Sequence, residues 1–210
     1  MHTVDPDHPP LINNRPARKM PMPIPLALAA CMACVLPITP ARANDNGHDR
    51  CQIQLSNVAV DFGATTRAEL LARQISPLAM DAGKQSVTLT ATCKEPVLMT
   101  LFFHGAAVDA TSYALGSGGA FTLTASDAHL DGRAVGLGAI QVHGQVPEVK
   151  ADQIALAPGV GVVPISNNLP LKGSSLSLRI EINATVSNLG SRVTDRTRFL
   201  GAGNFELLED

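Results

Sequence analysis

Residues 175–187, SLSLRIEINATVS, carry Leu176, Leu178, Ile180, Ile182, Ala184 and Val186 at every second position, against Ser, Arg, Glu, Asn and Thr between them. Successive side chains of an extended chain point to opposite faces, so this pattern is a strand with one buried and one wet face. Strands of that kind belong to antiparallel sheets, since parallel sheets are covered on both sides. Residues 85–93, QSVTLTATC, repeat the arrangement, with Val87, Leu89, Ala91 and Cys93 inward and Ser86, Thr88, Thr90 and Thr92 outward.

Working outward, Cys51, Ile53 and Leu55 share one parity and Val58, Val60 and Phe62 the other. Residues 51–62 are therefore expected to form a strand whose facing switches near Ser56-Asn57, through a bulge or a change of sheet. Further strands are expected over residues 97–103, 121–126, 134–142, 153–156, 160–165 and 205–208, and a helical turn or two over residues 67–80, limited by Pro77. Asp81-Ala82-Gly83, Ser117-Gly118-Gly119, Asp131-Gly132 and Lys172-Gly173 read as turns between short strands. The pattern predicts an all-β sandwich or barrel with no repeat of fixed period.

A chain of 210 residues with no Trp, one Tyr (Tyr113) and six Phe must build its core from aliphatic side chains. The 17 Gly and 15 Pro favour turns and short strands over long helices.

Residues 1–19 are polar and end in the basic group Arg15, Arg18 and Lys19, an apolar run follows, and Ala41-Arg42-Ala43 closes it. This is the plan of a secretory signal peptide over residues 1–43, leaving a single domain over residues 44–210. The prolines within the apolar run argue against a membrane-spanning helix. Leu28-Ala29-Ala30-Cys31 resembles a lipobox and offers a second route, lipidation at Cys31. Removing residues 1–43 takes Arg15, Arg18, Lys19 and Arg42 against Asp5 and Asp7, which moves the formal charge from −2 to −4. No basic patch is left for nucleic acid or anionic lipid.

Cys31 and Cys34 fall within the presumed signal, leaving Cys51 and Cys93. In an exported chain two cysteines read as one disulfide, closing a loop of about 40 residues. A metal site is not indicated, since no C-x-x-C is present and only His48 stands near either cysteine.

Catalytic patterns are absent from the sequence: there is no G-x-S-x-G elbow, no phosphate-cradling loop and no dinucleotide fingerprint. His104-Gly105 and His143-Gly144 read as strand ends, and Asp127 and Asp131 around His129 as turn-forming acids in a hairpin loop. Asn183-Ala184-Thr185 fits a glycosylation acceptor but lies in mid-strand. No enzyme activity and no cofactor or metal is expected.

The order of these features resembles that of subunits of chaperone–usher fimbriae. CQIQLSNVAVDFG carries the first Cys and SVTLTATC the second. FFHGAA stands where pilins carry a hydrophobic strand ending in F-x-G-x-A, and GNFELLED is similar to the closing pilin strand. Glu209 occupies the penultimate place where pilins commonly hold an aromatic.

The resemblance implies an immunoglobulin-like (pilin-type) sandwich lacking one strand, assembled by strand donation with a periplasmic chaperone, an outer-membrane usher and other fimbrial subunits. It implies passage through the periplasm to the cell surface, with Phe199, Phe205 and Leu207 as the residues a chaperone would contact. Cleavage before Asn44 would leave Asn44-Asp45-Asn46-Gly47-His48-Asp49-Arg50 ahead of Cys51, with no alternating apolar residues to donate. A minor or tip-located subunit, structural or adhesive, is the expectation. The competing expectation is a self-contained secreted or periplasmic β-sandwich binding domain.

Overall fold

The computed structural model describes residues 50–193 and 197–210. The presumed signal, Cys31, Cys34 and residues 44–49 lie outside the described residues. In chain order the elements are β1 (Cys51–Leu55), α1 (Arg67–Ala72), β2 (Gln74–Ser76), β3 (Ala79–Gly105), β4 (Tyr113–Leu115), β5 (Gly119–Leu130) and β6 (Arg133–Ala134). There follow β7 (Gly136–Ile140), β8 (Val149–Ala151), β9 (Ile154–Ala155), β10 (Gly161–Ser166), β11 (Leu169–Pro170), β12 (Lys172–Ser187) and β13 (Gly203–Glu209). Every pairing is antiparallel. The result is the all-β, disulfide-closed sandwich that the alternation predicts.

One sheet runs β4-β5-β12-β3-β1 and the other β13-β3-β10-β7-β8, so β3 belongs to both. Its first part pairs with β12 and β1, with Leu89 opposite both Leu178 and Leu55. Its last part pairs with β13 and β10, with Leu101 opposite Leu207 and Val162. Between them Lys94, Glu95 and Pro96 are exposed, and Pro96 offers no amide to a ladder. The inward parity does not change across them: Val87, Leu89, Ala91, Cys93, Val97, Met99, Leu101 and Phe103 are all buried.

The core lies between the two sheets, where Leu89, Leu176, Leu178 and Ile180 of the first meet Met99, Leu101, Leu137 and Val162 of the second. Each fully buried Leu or Ile contributes on the order of 1.5–3 kcal/mol of burial free energy. Phe103, Tyr113, Phe121 and Phe205 form one aromatic cluster, with Phe103 4.8 Å from Tyr113 and 5.0 Å from Phe205.

The helical turns expected before Pro77 are α1. Thr66 Oγ1 accepts from the Glu69 amide at 3.2 Å, and the Glu69 carboxylate accepts from the Thr66 amide at 2.7 Å, a capping box. Those hydrogen bonds hold the Glu69 carboxyl below the usual carboxylate range, the backbone bond from Thr66 contributing most. Leu70 anchors the helix against Met80 and Val186.

Four expectations are corrected. The first strand ends at Leu55 rather than continuing past a bulge to residue 62. Asn57 and Asp61 side chains accept from the amides of Ala59 and Gly63, turning the backbone away from the ladder. Asp81-Ala82-Gly83 is no turn but a bulge inside β3: Gly83 faces Ala184 while Asp81 faces Thr185, which leaves Ala82 extra. Lys172-Gly173 likewise opens β12, where the side chain of Leu130 fills the space beside Gly173 that a Cβ would need. Asp127 and His129 lie within β5, leaving only Asp131 in the turn.

Candidate functional site: an open seam between the sheets

β1 and β13 occupy successive stretches of the same edge of β3. The amide of Lys94 donates to Arg50 at 3.0 Å, and four residues on the amide of Leu98 donates to Asp210 at 2.8 Å. Amides four apart in a strand point to the same side. Among the described residues neither β1 nor β13 has a partner on its other edge. Two rows of unpaired backbone groups therefore border one side of the sandwich, one from each sheet.

The side chains along this seam are apolar and incompletely covered. Ile53 and Leu55 on β1, Val60 and Phe62 just after it, and Phe205 and Leu207 on β13 all pack against the core while remaining partly exposed. Elsewhere, equivalent inward positions such as Leu89, Leu101 and Leu178 are fully buried. Apolar surface beside unpaired strand edges is the setting in which a further strand binds, its backbone completing a ladder and alternate side chains entering the groove.

Of the residues singled out for partner contact, Phe205 and Leu207 lie at the seam. Phe199 lies outside β13 and packs near Gly119 and the cluster of Leu70, Met80 and Val186, at an end of the sandwich. Leu208 points to the outer face of β13 and packs against Phe102, Ile140, Val163 and Ile165. Cys51 and Cys93 are joined, with sulfurs 2.02 Å apart, and stand directly opposite in the β1–β3 register.

Glu209 is the feature that sequence reasoning missed. Noted only as a departure from an aromatic, it follows Phe205 and Leu207 on the inner face of β13, and its carboxylate lies within 4.8 Å of both disulfide sulfurs. The three residues do not form a metal centre, because disulfide sulfurs are not thiolates.

The remaining candidates make local contacts. Asp131 Oδ1 accepts from the amides of Ser174 and Ser175, and Asp127 pairs with Arg179 at 3.0 Å. His104 sits 2.6 Å from Glu206, both half exposed on the outer face of the β3–β13 pair. His143 Nδ1 meets Thr100 Oγ1 at 2.9 Å, and the Asn183 side chain donates to Glu181 at 3.3 Å in mid-strand. An open hollow of about 440 Å³ is bordered by Asp152, Ser166, Asn167 and Asn168.

No helix among the described residues is long and apolar enough to cross a membrane. No protein-family model and no curated protein matches the chain. Among solved structures, it is similar to the P pilus rod subunit PapA, at 17% identity and a TM-score of 0.40, covering 77% of this chain and 99% of that one.

Proposed function

We propose that this protein is a non-enzymatic subunit of a surface fimbria whose open seam accepts an extended strand from another polypeptide. The observation that carries the reading is the pair of edges, β1 and β13, that have no partner among the described residues and flank half-buried Ile53, Leu55, Phe62, Phe205 and Leu207. A strand laid along β13 satisfies its free backbone groups and removes those side chains from water, at roughly 25 cal/mol per Å² of apolar surface. A periplasmic chaperone would fill the seam in transit, with other subunits doing so after export through an outer-membrane usher.

The chain without its signal is expected to aggregate or be degraded when produced alone in the periplasm, and to accumulate as a soluble species with a chaperone or a bound strand peptide. A stable monomer needing neither would favour the self-contained binding domain, with the hollow beside Asn167 and Asn168 as its recognition surface. Slow exchange of the Phe205, Leu207 and Glu209 amides, which face the free edge of β13, only when a strand is supplied is the direct signature of the fimbrial reading.

Position in the fibre follows from processing. If cleavage precedes Asn44, the polar segment before Cys51 supplies no apolar residues two apart, and the subunit accepts a strand without donating one. It then belongs at a tip. N-terminal sequencing tests the cleavage, and immunogold label spaced along whole fibres would refute the tip assignment.

A further inference from the structure

Glu209 interrupts an otherwise apolar seam. Its Oε2 is shielded from solvent and has no hydrogen-bond partner among the described residues. The neighbouring disulfide offers no proton to donate. Burying an acidic oxygen without a partner opposes folding, because the lost hydration is not replaced. The cations nearest in sequence to the disulfide, Arg50 and Lys94, are exposed. The ion pairs among the described residues are Lys84–Glu181, His104–Glu206 and Arg179–Asp127, and none of them includes Glu209. Beside Glu209 runs the free edge of β13, where the incoming strand would lie.

We infer that Glu209 selects and registers that strand: the segment filling the seam carries a Lys or Arg at the inward position beside the disulfide, in series with the apolar residues that meet Leu207 and Phe205. The inference rests on the strand-accepting reading. Its physical need is register. Side chains alternate with a period of two, so a slip of two residues leaves an alternating apolar strand facing the groove just as before. Apolar contacts alone distinguish such registers poorly. A single charge pair at one end separates them, since every shifted register leaves both a buried carboxylate and a displaced cation unsatisfied. Arg is the better partner because its planar guanidinium meets a carboxylate with two parallel hydrogen bonds.

The test uses the disulfide-bonded chain, purified under denaturing conditions and refolded by dilution into a series of labelled synthetic peptides of alternating Val and Thr, with Lys, Arg, Gln or Glu placed at each inward position in turn. Fluorescence anisotropy is expected to show one position at which Arg or Lys binds about tenfold tighter than Gln, and Glu binds weakest. Glu209→Gln should erase that preference while keeping affinity for the Gln peptide, and Glu209→Lys should transfer it to the Glu peptide. Binding of all peptides without a charge preference, or a preference that survives E209Q, would overturn the role of Glu209 and leave strand acceptance standing. Failure of every peptide to bind would overturn strand acceptance itself. The peptide series on the unaltered chain is decisive even where a variant does not fold.

Discussion

The hydroxyl of Tyr113 donates to the carbonyl of Leu156 at 3.1 Å and lies 3.3 Å from that of Phe103, tying β4 and the residue after β9 to the long central strand from within the core. Tyr113 is only 1% exposed, and burial pushes its phenol above the usual tyrosine range. Ionisation would place an anion against two carbonyl oxygens.

The folded-state value is raised, so the stability this tyrosine supplies is complete below the unfolded value of about 10 and is lost as pH rises through the folded value. As Tyr113 is the single tyrosine and the chain has no Trp, tyrosinate absorbance follows it alone. We expect alkaline titration and loss of β-sheet circular dichroism to coincide. Tyr113→Phe should unfold at higher pH, at a cost near neutrality of about 1 kcal/mol for the lost hydrogen bond. A phenol titrating at its ordinary value with the sheet signal intact would contradict this.

The Cys51–Cys93 bridge closes a loop spanning 42 residues. In the chain-entropy account such a cross-link contributes about 4 kcal/mol. Cys51→Ser paired with Cys93→Ser should shift the urea midpoint down by a corresponding amount. Two free thiols found under denaturing conditions in protein produced in an oxidising compartment would refute the bridge.

Phe205 joins β13 to the aromatic cluster through Phe103. Its replacement by Ala should lower stability by roughly 2–4 kcal/mol, toward the lower end because the ring is only partly buried. Phe205→Asp adds an unpaired charge and should release β13 entirely. Amide exchange distinguishes the two, since the Asp variant should lose protection together at Thr100 and Leu208, whose amides face each other across the β3–β13 pair.

Gly161 sits against the ring of Phe102, where an added Cβ would come within 2.6 Å of the ring carbon Cε1. Gly161→Ala should therefore destabilise by about 1–3 kcal/mol through overpacking. Phe102→Leu, introduced together with it, should recover part of that loss. Independent, additive effects of the two changes in a thermal-melting cycle would show that the contact is not shared.

The strands that were legible in the sequence are those with one dry face. Leu176 to Val186 and Val87 to Cys93 alternate because water lies on the other side, and the disulfide followed from two cysteines in such segments. The continuity of β3 was hidden by Lys94-Glu95-Pro96, three residues that read locally as a break although the inward parity runs through them. Asp81-Ala82-Gly83 has the chemistry of a turn, but the partner β12 converts it into a bulge. The open seam was legible only through family resemblance. The setting of Glu209 was not legible, because Cys51 and Cys93 reach its side from far away in the chain.

The shared strand β3 also dictates when this protein can finish folding. Two of its partners come from far apart in the chain, β1 at Cys51–Leu55 and β13 at Gly203–Glu209. While the chain is being delivered from its N-terminus, the last part of β3 can pair with β10 on one edge, but its other edge stays open until β13 arrives. Such distant pairings close large loops before any contact rewards them, which makes folding slow and leaves half-built sheets open to aggregation. Maturation thus waits on the arrival of β13, and any truncation that removes Phe205 and Leu207 leaves the sheet that β13 edges unfinished, however complete the rest of the chain.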